Sequence, residues 1–121
     1  MSTQNVLLLS ARVAFTAATA FTLYSAFAPP TVAPSLFPWD KAAHFLAFYV
    51  VAVLGLLAFP RTGPFRIGLA LSSLGVAIEL VQGLPIVNRD SDIFDWVADS
   101  IGIVCALGPM GLPSIRGRWR A

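Results

Sequence analysis

The sequence predicts an all-α fold: an integral membrane bundle of four transmembrane helices with both termini on the cytoplasmic side. Hydrophobic residues make up 57% of its 121 residues and charged residues only 12%, and the mean hydropathy is +0.78. Soluble globular domains carry about 25% charged residues, so this composition is typical of a membrane protein. Nine prolines divide the chain into four apolar stretches, and the distribution of Lys and Arg indicates the orientation.

The positions of the prolines predict where the helices end. The prolyl ring removes a backbone donor and clashes with the preceding helical turn, and an unsatisfied backbone group is costly in lipid. The stretches between prolines predict spans over approximately residues 6–28, 41–59, 66–84 and 92–108, within a single domain of residues 1–121. A helix needs about 20 residues to cross a bilayer, and each span is close to that length.

The first span ends in Ala26-Phe27-Ala28, a small-x-small pattern that is typical of a signal-peptidase site. A secretory leader normally begins with a basic segment, yet Arg12 is the only basic residue among the first twelve. We therefore expect the first span to be retained as a transmembrane helix.

Basic residues are distributed unevenly between the two sides of the predicted bundle. With four crossings, one side holds no acid and six arginines: Arg12, Arg61, Arg66, Arg116, Arg118 and Arg120. The other side holds Lys41 and Arg89 with all six acidic residues. Basic residues accumulate on the cytoplasmic side of membrane proteins, so we expect both termini there. The arginines are scattered and form no basic face, so we expect no nucleic-acid partner.

Cysteine and histidine each occur once, which limits the metal chemistry. Cys105 alone excludes an internal disulfide and a cysteine-rich zinc site, and His44 alone excludes a cage of several histidines. His44 follows Asp40 by four residues, so the two side chains share one face of the second span. We expect either a pairing of these two groups or a functional site that includes His44.

Small and polar residues recur at helical spacing in the third and fourth spans. One stripe is Gly68, Ser72, Gly75, Glu79 and Gln82, and the other is Asp92, Asp95, Asp99, Gly102 and Ala106. Residues three and four apart share a helix face, and small residues let two helices approach closely. We expect the stripes to pack together and to bring Glu79 and Gln82 toward Asp95 and Asp99 near the outer surface.

Glu79 lies where a lipid-facing carboxylate is unfavourable. It is roughly 7–8 Å below the outer helix end, where an ionised carboxylate facing lipid costs on the order of 1–3 kcal/mol. We expect Glu79 to be protonated or paired with Lys41, Arg89 or His44. An intramembrane acid of this kind indicates a functional site or a hydrogen-bonded network that ties the helix ends together.

These residues occur together in an order that resembles a known family. The motifs are Asp40-Lys41-x-x-His44 with Tyr49, Glu79-x-x-Gln82, and Arg89-x-x-Asp92-x-x-Asp95 leading into Asp99-x-x-Gly102. They resemble the VanZ-like family of small bacterial membrane proteins, which usually has Asn at position 99 and Gly at position 106. The resemblance implies a four-helix protein of the bacterial inner membrane. The family's founding member is associated with low-level resistance to the glycopeptide teicoplanin, and no reaction is established for it.

The resemblance and the polar helix ends favour a non-catalytic envelope protein that influences glycopeptide susceptibility by binding a ligand. The expected partners are membrane lipids, a lipid-linked envelope precursor or a glycopeptide. The predicted ligand-binding residues are Asp40, Lys41, His44, Tyr49, Glu79, Gln82, Arg89, Asp92, Asp95 and Asp99. Such binding requires only complementary charge and shape.

The alternative is a membrane-embedded enzyme that acts on a lipid-linked, phosphate-containing substrate. Its candidate catalytic residues are His44, Glu79 and Asp95. In this hypothesis His44 is the general acid or base, Asp40 or Glu79 orients it, and Arg89 or Lys41 holds the phosphate. The nucleophile is left open between Ser91, Asp92, Asp95 and water.

Metal binding and ion transport are the weaker interpretations of the same residues. Oxygen ligands for a divalent cation are available at Glu79, Asp92, Asp95 and Asp99. Lys41 and Arg89 already neutralise part of this charge, so we expect no metal ion and no other cofactor. Proton translocation is disfavoured because the stripe below Glu79 continues as Gly75, Ser72 and Gly68, without a titratable group.

We expect Trp96 to lie at the membrane interface as an aromatic belt residue.

Overall fold

A computed structural model describes residues 1–28, 40–85 and 93–110 of the chain. In this part it contains no strand and four helices: α1 (Thr3–Phe27), α2 (Asp40–Ala58), α3 (Pro64–Gln82) and α4 (Ile93–Met110). The all-α prediction is confirmed, and no helix boundary differs from its predicted position by more than three residues. Three of the helices, α1, α2 and α3, are long and apolar enough to cross a membrane.

The helix ends follow from the local sequence. Ser2 precedes α1, and its Oγ accepts a hydrogen bond from the backbone N–H of Asn5 at 3.2 Å, which stabilises the helix start. Pro64 is the first residue of α3, where its fixed φ and missing N–H are compatible with the helix. α4 continues past its predicted end through Pro109, because a proline in the last turn removes only one intrahelical hydrogen bond.

The helices do not contact each other equally. α4 packs extensively against α2 and also against α3, whereas α2 and α3 contact each other much less. α1 packs mainly against α2. The fourth helix therefore joins the second and third helices into one bundle.

Glycines mark the places where α4 approaches its two neighbours most closely. Gly68 and Gly75 of α3 face α4, as predicted, since a Cβ at either position would contact side chains of α4. The prediction is wrong for Gly102, which faces α2 and not α3. A Cβ at Gly102 would overlap the backbone carbonyl oxygen of Phe45. The small and polar residues of α4 therefore do not form one stripe against α3.

The apolar core lies between the helices, and many large apolar side chains point outward. The core contains Phe48, Val51, Ala52, Leu56, Ile67, Leu71, Ile78, Ile103 and Ala106. Exposed apolar side chains on the last two helices include Phe65, Leu69, Leu80, Ile93, Phe94 and Val104. A helix bundle that is apolar both inside and outside is typical of a protein surrounded by lipid.

The two ends of the bundle differ in charge. Consecutive helices run in opposite directions, so the C-terminal ends of α1 and α3 lie beside the N-terminal ends of α2 and α4. This acidic end contains Lys41, Glu79, Asp95 and Asp99. The opposite, basic end contains Arg12, Arg61 and Arg66.

Arg12 has a structural role at the basic end. Its Nε donates a hydrogen bond of 3.0 Å to the backbone carbonyl of Ala58, the last residue of α2. Its guanidinium carbon lies 5.7 Å from the centroid of the Phe59 ring, within the range of a cation–π interaction. Arg12 therefore satisfies a terminal carbonyl of α2, where a positive charge is also favoured by the helix dipole.

Candidate functional site

Five side chains from three helices meet at the acidic end of the bundle. α2 supplies Lys41 and His44, α3 supplies Glu79, and α4 supplies Asp95 and Asp99. These five residues are called the polar cluster below. All five belong to the ligand-binding set predicted from the sequence, and the structure brings them together; their role in binding stays a prediction.

The close approach of α4 to α2 builds most of the polar cluster. Asp95 and Asp99 are four residues apart and share one face of α4, and Gly102 follows on that face one turn later. Because Gly102 has no side chain, the α4 backbone comes within contact of the α2 backbone at Phe45. The two carboxylates consequently reach Lys41 and His44 in the first turns of α2.

Both nitrogens of the His44 ring face carboxylates of α4. Nδ1 lies 2.9 Å from Oδ1 of Asp99, and Nε2 lies 3.6 Å from Oδ2 of Asp95. A carboxylate beside one ring nitrogen fixes the orientation of the imidazole and favours a proton on that nitrogen. Lys41 completes this part of the cluster, because its Nζ lies 2.5 Å from Oδ1 of Asp95.

These contacts add partners of His44 and Lys41 that the sequence did not indicate. The sequence suggested that Asp40 or Glu79 orients His44, and the structure places Asp99 and Asp95 against its ring nitrogens. Lys41, expected as one of the partners of Glu79, forms an ion pair with Asp95; the expected roles of Asp40 and Glu79 stay predictions. Helical spacing shows that Asp95 and Asp99 share a face, but it does not show that this face is turned toward α2. The overlooked signal is Gly102, which marks that contact.

Exposure changes across the polar cluster from one side to the other. The side chain of Asp99 is 0% exposed and that of Asp95 is 7% exposed, whereas those of His44 and Lys41 are 17% and 23% exposed. The acids therefore form a buried floor. Lys41 and His44 are part-exposed, and these two side chains are called the mouth of the cluster below.

Glu79 extends the buried floor toward α3. The residue is 8% exposed, and one of its carboxylate oxygens lies within 4.8 Å of ligand atoms of His44 and Asp99. Gly75, one turn earlier in α3, provides the space for this arrangement, because a Cβ there would lie 3.2 Å from Oδ2 of Asp99. The predicted proximity of Glu79 to the acids of α4 is therefore present.

Gln82 and Tyr49 belong to the predicted site, but the structure directs both elsewhere. Gln82 is 3% exposed, and its Nε2 donates a 2.9 Å hydrogen bond to the backbone carbonyl of Ala26 in α1. The Tyr49 ring stacks on Phe45 with centroids 6.2 Å apart. Within the described part of the chain, no hydrogen bond joins Tyr49 to the polar cluster. Gln82 therefore ties α3 to α1.

A layer of hydroxyl and indole groups lies beneath the polar cluster between α3 and α4. Nε1 of Trp96 donates to both the backbone carbonyl and Oγ of Ser72, each at 3.2 Å, and Oγ of Ser72 lies 3.3 Å from Oγ of Ser100. Trp96 thus packs between helices, unlike the belt residue that we expected. Its N–H bonds to α3 and not to the membrane surface.

Some predicted site residues lie outside the described part of the chain. Arg89 and Asp92 belong to residues 86–92, which follow α3 and precede α4. Asp40 begins α2, but its side chain is also outside the description. Their predicted roles stay predictions.

Comparison with known proteins identifies no matching family model, no matching curated protein and no matching solved structure. The basis for a function is therefore the chemistry of the polar cluster. Carboxylates accept hydrogen bonds and bind cations, an ammonium binds anions, and an imidazole held by a carboxylate can transfer a proton. Such a group of side chains can bind a headgroup of mixed charge, a cation or a reacting phosphate.

Proposed function

We propose that the protein is a VanZ-like integral membrane protein of the bacterial cell envelope that binds a lipid or envelope ligand at the polar cluster without turning it over. The observation that supports this proposal is the gradient from a buried acidic floor at Asp99 to a part-exposed mouth at Lys41 and His44. A ligand bound there at the outer leaflet would influence the access of glycopeptides such as teicoplanin to the envelope.

The proposed membrane topology has four crossings and two cytoplasmic termini. α4 carries two acids, but both face α2, while Ile93, Phe94 and Val104 are exposed apolar residues. This distribution supports a fourth crossing in which only apolar side chains meet lipid. The arginines at the basic end support a cytoplasmic position for that end, in the inner membrane of a bacterium. Reporter fusions after residues 62 and 85 test the orientation: a periplasmic signal at 62 would contradict it.

The charges of the polar cluster favour a headgroup that carries both a phosphate and hydrogen-bond donors. Lys41 is part-exposed beside Asp95, where its ammonium would also bind a phosphate, and the carboxylates of Asp95 and Glu79 would accept hydrogen bonds from an amine or hydroxyl group. The ammonium of phosphatidylethanolamine has three N–H donors, whereas the trimethylated nitrogen of phosphatidylcholine has none. We therefore expect the protein to prefer the first lipid.

Native mass spectrometry of the detergent-purified chain tests the binding. We expect phosphatidylethanolamine to bind more tightly than phosphatidylcholine, and His44→Ala to weaken binding by about tenfold, which corresponds to about 1.4 kcal/mol. Ser73→Ala is the matched control, because Ser73 is exposed on α3 and its Oγ bonds to the Leu69 carbonyl. Equal binding of both lipids, unaffected by His44→Ala, would contradict the proposal.

A second candidate function is catalysis on a lipid-linked phosphate substrate. The contact of 2.9 Å between Nδ1 of His44 and Asp99 favours it, since a carboxylate that orients an imidazole is a common feature of general acid–base sites. Incubation of the chain with a polyprenyl diphosphate tests it by release of inorganic phosphate. Release that is lost in His44→Ala and kept in Ser73→Ala would replace the binding proposal by this one.

A further inference from the structure

We propose that His44, Glu79 and Asp99 bind a divalent transition-metal cation. One nitrogen of His44 and one carboxylate oxygen from each acid lie within 4.8 Å of one another. Imidazole nitrogen and carboxylate oxygen are the ligands with which proteins commonly bind Zn²⁺ and related cations. The three ligands come from α2, α3 and α4, so they converge only in the folded bundle.

The ligand atoms need little movement to reach a common cation. Bonds of about 2.0–2.2 Å place ligand atoms roughly 3.5 Å apart around a tetrahedral cation. Nδ1 of His44 and Oδ1 of Asp99 are 2.9 Å apart, and one atom from each of His44, Glu79 and Asp99 lies within 4.8 Å of the other two. The described geometry is therefore close to that of a three-ligand metal site.

Charge in the polar cluster also favours a divalent cation. Glu79, Asp95 and Asp99 are each less than a tenth exposed, and buried carboxylates require compensation. Lys41 compensates Asp95, at 2.5 Å. Glu79 and Asp99, the two acids of the three-ligand set, would supply negative charge to a divalent cation. The expectation of no metal rested on Lys41 and Arg89 neutralising part of the acidic charge. The ammonium of Lys41 lies on Asp95, outside the three-ligand set, and Arg89 lies outside the described residues.

Gly75 allows α4 to bring Asp99 close to α3, the helix that carries Glu79. A Cβ at position 75 would lie 3.2 Å from Oδ2 of Asp99 and 3.2 Å from Cδ1 of Trp96. Any larger residue would therefore press on the carboxylate from the α3 side. The glycine therefore permits the close contact between α3 and α4 at Asp99, and the hydrogen bonds from Trp96 to Ser72 hold the same two helices together.

A metal at this position would add chemistry that the binding proposal does not include. Three protein ligands leave at least one coordination position for water or for an oxygen of a bound headgroup. The cation would then act as a Lewis acid toward that oxygen. The inference depends only on the three ligands, and it can be tested without any lipid.

Zinc binding by the full-length protein, purified in detergent and stripped with EDTA, tests the inference. We expect one Zn²⁺ per chain after titration and desalting, measured by inductively coupled plasma mass spectrometry. Glu79→Gln and Asp99→Asn should each weaken Zn²⁺ binding by at least about tenfold. Cys105→Ser is the control, because Cys105 is exposed and lies outside the ligand set, so it should leave the affinity unchanged.

X-ray absorption of the zinc-loaded wild-type chain makes the test independent of how the variants fold. We expect a first shell of nitrogen and oxygen with scattering from one imidazole and none from sulfur. Absence of bound Zn²⁺, unchanged affinity in Glu79→Gln and Asp99→Asn, or sulfur scattering from Cys105 would each overturn the inference. If the wild-type chain binds lipid but no Zn²⁺, the metal inference is contradicted and the proposed function is not. If it binds Zn²⁺ but no lipid, the proposed function is contradicted and the metal inference is not.

Discussion

Gly102 of α4 lies against the backbone of α2 so closely that a Cβ at this position would overlap the carbonyl oxygen of Phe45. The same Cβ would also come within 3.2 Å of the backbone nitrogen of Tyr49. Backbone atoms cannot move aside as a flexible side chain can, so this contact sets the distance between the two helices. It also determines how far Asp95 and Asp99 reach into the polar cluster.

Gly102→Ala should force α2 and α4 apart and destabilise the bundle. Overpacking of a close contact costs about 1–3 kcal/mol, and the larger value is expected because the obstacle is backbone. The free energy of unfolding, followed by far-UV circular dichroism during SDS titration in detergent micelles, measures the effect. Gly108→Ala on the same helix is the control: nothing lies within 4 Å of its Cβ position, so it should be neutral or stabilise α4 by up to about 1 kcal/mol.

His44 and Asp99 should contribute to stability as a coupled pair. A double-mutant cycle with His44→Ala and Asp99→Asn is expected to give a coupling energy of about 0.5–3 kcal/mol, as is typical of contacting groups in one network. The same unfolding measurement provides the four free energies. His44→Ala combined with Ser73→Ala should be additive within about 0.5 kcal/mol. An additive His44–Asp99 cycle would show that their 2.9 Å contact is not energetically significant.

Arg12 should stabilise the basic end of the bundle through its hydrogen bond to Ala58. Arg12→Met retains much of the side-chain volume but removes the donor, so we expect a loss of about 1–2 kcal/mol in the free energy of unfolding. Arg66→Met removes the same charge from an exposed position of α3 and should change stability by less than about 0.5 kcal/mol. Equal losses of unfolding free energy in Arg12→Met and Arg66→Met would indicate that the positive charge, and not the contact of Arg12 with α2, determines the change in stability.

The hydrogen bonds between Trp96 and Ser72 should hold α3 against α4. Trp96→Phe removes the indole donor and is expected to cost about 1–3 kcal/mol, since the change also leaves a smaller ring in the interface. Ser72→Ala should cost less, because the Ser72 backbone carbonyl still accepts from Trp96. Ser73→Ala, in which the lost hydrogen bond lies within α3, should be close to neutral. A neutral Trp96→Phe would contradict the structural role of this residue.

The helices could be predicted from the sequence because their determinants are local. Proline positions and apolar composition gave every boundary within three residues. The main differences lie at the start of α1, where Ser2 caps the helix, and at the end of α4, where the last helical turn accommodates Pro109. The assignment of α4 as a crossing depends on which neighbours cover its acids, and that information is not local.

The partners within the polar cluster could be predicted only in part. Spacing placed Asp95 and Asp99 on one face of α4, but α4 lies between two helices and has two covered faces. The face with Asp99 and Gly102 meets α2, while Trp96 and Ser100 on the other face meet α3. Periodicity identifies both faces without indicating which helix each one meets, so the pairing of Asp99 with His44 could not be predicted.

The position of α4 between α2 and α3 also implies an order of assembly. When synthesis has produced only the first three helices, α2 and α3 have few contacts with each other, and the bundle stays open. α4, made last of the four, brings Asp95 and Asp99 to a surface where α2 already presents Lys41 and His44. The earlier helices thus provide the docking surface for α4, and the polar cluster is complete only after α4 has docked.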